Sequence, residues 1–130
     1  MALLEQALVH ALRDFTGLTD LVSTRIYPMM VPQGAALPAV TYRRVSGERV
    51  HAMVDDPGLA YPRMQVDAWG STYASAKAVA AQVIACLQRW RGVVETVTVQ
   101  DTYFSGDMDI YDPETERWQV SMDFIMWHLE

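Results

Sequence analysis

Histidine, cysteine and clustered carboxylates are the residue types from which this chain could build a reactive or metal-binding site. Its three histidines, His10, His51 and His128, fall on a helical face, in a turn-rich segment and near the end of a strand. None has a cysteine or a paired carboxylate at metal-ligand spacing, so they read as surface or rim residues. The acids Asp101, Asp107, Asp109, Asp112, Glu114 and Glu116 are dense enough in oxygen ligands to raise a hard cation as a question. Counted from Asp107, however, the fifth position is Tyr111 and no glycine follows it, which breaks the calcium-loop pattern. A solvated hairpin tip is the plain reading of these acids; a calcium site and a contact between subunits are the alternatives. The single cysteine, Cys86, lies beside an apolar helical stripe and reads as a small buried hydrophobe; it excludes an intrachain disulfide. G-x-S-x-G, the P-loop, the dinucleotide fingerprint and H-E-x-x-H are all missing, so no catalytic residue, metal or cofactor is expected. An enzyme would need a dispersed site.

What remains is charge and aromatic surface suited to contacts. Arg43, Arg44 and Arg49, with His51 nearby, gather basic charge far in sequence from the acidic stretch. A solvated edge explains them, or the basic patch of one subunit meets the acidic hairpin of the next, a heterologous match that closes rings. Trp69 and Trp127 join this set as interface anchors if they are exposed, and are core if they pack beneath a loop. The candidate contact residues are therefore Arg43, Arg44, Arg49, Trp69, Asp107, Asp109, Asp112 and Trp127.

The elements that position these residues follow from hydrophobic period and turn chemistry. Leu4, Leu8, Ala11, Leu12 and Phe15 recur at helical spacing, predicting an amphipathic helix over 2–15 that Gly17 ends. Thr19 caps a short turn through Val22, and Arg25 to Tyr27 is extended up to Pro28. Three prolines and Met29, Met30 and Val31 make 28–38 an ordered, partly apolar loop. Ala39 to Val45 is a strand, and the stretch from Glu48 to Tyr61, with Asp55-Asp56-Pro57-Gly58, is a projecting loop or hairpin arm. Arg63 to Trp69 alternates as a half-buried strand with Met64, Val66 and Ala68 on one face. Ser71 is the expected cap of a helix reaching Trp90, with Tyr73, Ala76, Ala80, Val83, Ile84 and Leu87 inward and Ala74, Ala78, Ala81 and Ala85 on a small-residue back. Val93 to Phe104 is one strand, interrupted at Ser105-Gly106 before Asp107 to Tyr111. After the turn at Asp112-Pro113-Glu114-Thr115, Arg117 to Leu129 sets Trp118, Val120, Met122, Phe124 and Met126 inward. The sum is a single α+β domain over 1–130: an antiparallel or mixed sheet of four to five strands, two main helices on one side, and the arm.

The totals agree with one core. The chain has 130 residues, 51% hydrophobic and 20% charged, which favours folding over disorder and fits one domain. A net charge of -6 argues against general nucleic-acid binding and anionic membranes. No apolar run nears the ~20 residues that span a bilayer, and the early Glu5 is unlike a secretory signal. Residence in the cytoplasm, or in a particle assembled there, is the expectation.

Taken in order, Arg25-Ile26-Tyr27-Pro28, Pro32-Gln33-Gly34-Ala35, Leu37-Pro38-Ala39-Val40 and Tyr42 to Gly47 resemble the first half of the phage tail-completion family. Met64 to Trp69, the Ser71-Thr72-Tyr73 helix entry, Tyr111-Asp112, Glu114-Thr115 and the close at Met126-Trp127 resemble the second. These motifs are strands, turns and caps, and the likeness lies in their joint order over most of the chain. It implies a tail-terminator protein of long-tailed phages or gene transfer agents, a six-fold ring of self-associated copies between the tail tube protein and the head connector or stopper. DNA would pass through the ring's negatively charged lumen without specific binding. A different neck component, such as a stopper or head-completion protein, is the near alternative. A small ligand-binding α+β domain is the distant one, and would show a deep apolar pocket.

Overall fold

The computed structural model describes residues 3–50 and 58–129. Its chain runs α1 (Leu4–Asp14), α2 (Thr16–Val22), β1 (Ile26–Pro28), β2 (Ala39–Ser46), β3 (Leu59–Ala60), β4 (Arg63–Gly70), α3 (Tyr73–Leu87), β5 (Gly92–Val94), β6 (Val97–Asp112) and β7 (Arg117–Leu129). All seven strands join one sheet in the order β1-β2-β4-β7-β6-β5, with β3 also on β7. Among the described residues the β1–β2 pairing is parallel and the other pairs are antiparallel.

The α+β class and the helices on one side agree with the sequence reading, with the short α2 added to the two main helices α1 and α3, whereas the expected four to five strands are too few. Three local features separate the observed strands from the expected ones, two adding a strand and one joining two pieces. Glu95 adopts a φ of 54° and turns the chain between Val94 and Val97, which splits the expected strand 93–104 into β5 and β6. Ser105-Gly106 is a bulge, so β6 continues through it to Asp112. β3 and β4 keep one register against β7, Leu59 opposite Leu129 and Arg63 opposite Ile125, and the ladder lapses at Pro62, which has no N–H to donate.

Gly17 does not end the helical region. Phe15 breaks it with an extended backbone, and α2 restarts at once so that Leu18 and Val22 are buried as well. A Cβ at Gly17 would meet the flexible end of the Gln82 side chain on α3, which would have to turn aside. α3 is capped by Thr72, not Ser71, its hydroxyl accepting from the Ser75 N–H at 3.1 Å. It ends at Leu87, three residues before Trp90, because Gln88 is extended and Arg89 takes a φ of 63°. That reversal lets Arg89 N–H donate to the Thr102 carbonyl at 2.8 Å, and Gln88 Oε1 accept from Phe104 N–H at 2.8 Å.

Cross-strand partners share a face, so the register fixes which side chains look inward. Val40, Met64, Val66, Ala68, Val120, Met122, Phe124 and Met126 form the inner face, all buried beneath the three helices. Leu4, Leu8 and Leu12 of α1 and Ala76, Val79, Val83 and Leu87 of α3 close the core from above. Tyr73, expected inward, is 45% exposed at the first turn of α3. The alanine back of that helix faces out.

Candidate functional site

Residues whose types could do chemistry are kept apart by the fold. Cys86 is buried, its thiol donating to the Ala11 carbonyl at 3.3 Å, and desolvation pushes its pKa up to about 11. It is an inert core residue. His10 sits on exposed α1 within 3.0 Å of Asp14, one turn on. His128 is buried on the inner face of β7 with Nδ1 at 3.2 Å from the Leu129 carbonyl, contrary to the surface or rim position read from the sequence. The β-strand period carries it inward, since it alternates with Met126 and Phe124. His51 lies outside the described residues, as does 51–57 of the arm. Among the described residues no group of three or more His, Cys, Asp or Glu is placed to hold a metal ion.

The acids divide three ways. Asp101 meets Arg89 at 2.9 Å and Arg91 at 3.9 Å near the start of β6. Asp107 and Asp109 lie opposite Met122 and Val120 and therefore on the inner side of β6, beyond the helices' main cover. Tyr73 hydroxyl donates to Asp109 at 2.9 Å and Lys77 Nζ lies 3.2 Å away, holding this carboxyl below its ordinary range and raising Lys77 in return. Asp112 accepts from the Glu114 N–H at 3.0 Å and the Thr115 hydroxyl at 2.8 Å, and those bonds hold its pKa down. Its carboxylate closes the hairpin turn.

The basic residues divide too. Arg43 and Arg44 are consecutive in β2 and so point to opposite faces. Arg43, outside, donates to Gln65 Oε1 at 3.1 Å; Arg44, inside, pairs with Glu5 of α1 at 3.0 Å. Arg49 bridges antiparallel to Ala60 where the arm leaves the sheet, with Val50 N–H to Leu59 carbonyl and Tyr61 N–H to Glu48 carbonyl both at 2.9 Å. The base of the arm is thus a continuation of the β2–β4 hairpin.

Both candidate tryptophans stand on the outer face, the side opposite the helices. Trp69 Nε1 donates to the buried Thr41 hydroxyl at 2.9 Å, and Trp127 stacks on Tyr61 with ring centroids 4.6 Å apart. Both are half-buried. Near Trp69 the loop after β1 and the β6–β7 turn border a shallow hollow of about 360 Å³ that includes Met29, Met30, Asp67 and Asp112. Desolvation raises the Asp67 carboxyl above its ordinary value, partly offset by hydrogen bonds, Gln65 donating at 3.0 Å.

Sequence reasoning missed the sheet's two open edges. β5 covers only Val97 to Val99 of β6, and Arg89 and Gln88 cover the flank at Thr102 and Phe104. From Ser105 to Asp112 that flank has no strand partner among the described residues. At the opposite edge β1 covers only Val40 to Tyr42 of β2, leaving 43–46 without an outer neighbour among the described residues. Exposed apolar side chains gather at both edges: Met108 (61%) and Ile110 (37%) on β6, Met29 (67%) and Met30 (70%) beside β1. The sequence signal was present in the alternation of Met108 and Ile110 with acids, yet alternation does not say which face is buried.

Open sheet edges and exposed apolar side chains are the kind of surface that assembled proteins cover. Among solved structures, a chain from the virion of a native gene transfer agent particle shares the fold, with a TM-score of 0.84 at 19% identity over 98% of this chain and 95% of that one. No curated protein sequence matches. The family described as tail completion protein gp17 matches residues 6–129, and the chain belongs to it. It is therefore a structural protein of a virion tail and not an enzyme.

Proposed function

We propose that this protein caps the tail tube as a ring of identical subunits and joins the tail to the head connector. The match to a tail-completion family over residues 6–129 carries this reading. The helix-covered sheet makes the ring wall. The arm from Glu48 to Tyr61 and the loop from Met29 to Leu37 reach the neighbouring tube and connector rings. Trp69 and Trp127 give the outer face its aromatic anchors, and Arg43, Arg44 and Arg49 with Asp107, Asp109 and Asp112 supply charge between copies. A subunit of net charge -6 suits a channel that DNA crosses without sticking.

Electron microscopy of the protein mixed with purified tail tubes tests the role. Extra density at one end of each tube, with elongation halted, is the expected result. Binding along the tube's sides, or none, would refute it. A lumen lined by Arg43, Arg44 and Arg49 would overturn the channel argument separately.

A further inference from the structure

We propose that the sheet runs on from one copy of this chain into the next, the free flank of β6 from Ser105 to Asp112 accepting the β1–β2 edge of a neighbouring copy. This rests on the ring reading and names its interface.

Unpaired strand edges invite pairing with another chain, and stable monomers usually blunt them with bulges, charges or a covering element. Here the cover stops short on both sides. Gln88 and Arg89 satisfy β6 at Phe104 and Thr102 and go no further, while β1 ends at Pro28 opposite Tyr42.

Strand direction fits a head-to-tail contact. β2 is antiparallel to β4, β4 to β7 and β7 to β6, so β2 and β6 run in opposite senses, and β1 runs with β2. A rotation about an axis along the strands preserves those senses, so β6 of one copy meets the β1–β2 edge of the next antiparallel. Because the two edges are different surfaces, the contact is heterologous and repeats around a closed ring.

Side chains agree. Continuing the sheet preserves its faces, which sets outer-face Met108 and Ile110 near the exposed Met29 and Met30 that follow β1. Methionines adapt their shape and suit such a junction. Asp107 falls on the same side as Arg44, and Asp112 on the same side as Arg43, so each face of the continued sheet carries opposite charges, with Arg44 and Asp109 already engaged by Glu5 and Lys77 inside the chain.

Amide hydrogen exchange on free protein and on capped tubes reads the edge without assuming a register. Exchange within 105–112 should slow by at least about tenfold on capping. In parallel, Met108→Cys carrying a benzophenone maleimide is photolysed on capped tubes, and mass spectrometry locates the cross-linked peptides; buried Cys86 does not compete for the label. Cross-links to the segment 26–30 are expected. Because the loop after β1 borders the same hollow as Asp112 within one chain, copies labelled with 15N are mixed with unlabelled ones before capping, and cross-linked peptides of mixed label show that the link joins two copies. Capped tubes with unslowed exchange, or with cross-links only to the tube protein, would overturn the edge pairing and leave the capping role standing. Absence of capping altogether would overturn both.

Discussion

The two halves of β6 are one continuous strand with opposite fates. From Val97 to Phe104 its inward residues Val97, Val99 and Thr102 are buried, and α3's C-terminal reversal is pinned to its edge. From Ser105 to Asp112 its inner side carries Asp107 and Asp109, and Met108 and Ile110 are exposed on the outer side. Backbone conformation is common to both, so strand formation alone does not assign a segment to the fold. Burial does: the first half is stabilised by its own chain, whereas the second shows water the apolar side chains that a partner would cover.

Substitutions on the two halves of the hairpin should separate these fates. Phe124, fully buried on β7 and packed on Phe104 with centroids 5.4 Å apart, stands for the committed half. Phe124→Ala should cost about 3–5 kcal/mol and lower the melting temperature by roughly 10 °C or more in calorimetry. Little loss would mean the core is held mainly by the helices. The double change Met108→Lys with Ile110→Lys should alter the stability of the free subunit by only about 0.5 kcal/mol. It should nevertheless weaken tube capping at least about tenfold, as judged by co-sedimentation. A stability loss comparable to that of Phe124→Ala would erase the distinction between the halves.

The smallest effect concerns the outer face, where Asp67 is buried beside buried Thr41 and the half-buried Gln65 and Trp69. Burial raises its folded-state pKa, so the folded protein binds this proton more tightly than the unfolded chain does. Its contribution favours folding below the unfolded value and is lost as pH rises through the folded one. Asp67→Asn should therefore be more stable than the parent at pH 7, with the gap closing as pH falls through the carboxylate range in paired melting curves. A variant less stable by the same margin at every pH would show that the Gln65 hydrogen bonds outweigh desolvation at this site.

Much of the body was legible because its signals are local and periodic. Met64, Val66 and Ala68 alternate as a half-buried strand must, and Val120 to Met126 do the same. Leu4, Leu8 and Leu12 recur at the helical period. Boundaries were less secure: Ser71 and Thr72 both cap well, and only the bond to Ser75 N–H selects Thr72. The strand number was underestimated because a positive φ at Glu95 and a shared register across Pro62 add β5 and β3, while pairing with β7 carries β6 through the bulge at Ser105; all three depend on partners distant in sequence.

The candidate contact residues show the same division. Sequence named Arg43, Arg44, Trp69, Asp109 and Trp127 by type, and the strand period already implied that Arg43 and Arg44 diverge. Neither Glu5's hold on Arg44 nor the grip of Tyr73 and Lys77 on Asp109 could be read locally, since those partners lie 39, 36 and 32 residues away. By itself the sequence determined an α+β chain with one apolar core, helices on one side of a sheet and no assembled catalytic signature, because residue period and type act locally. Only the tertiary structure decided where the sheet stops and which edges stay open, because a strand's flank is covered or left bare by segments that folding brings from elsewhere in the chain.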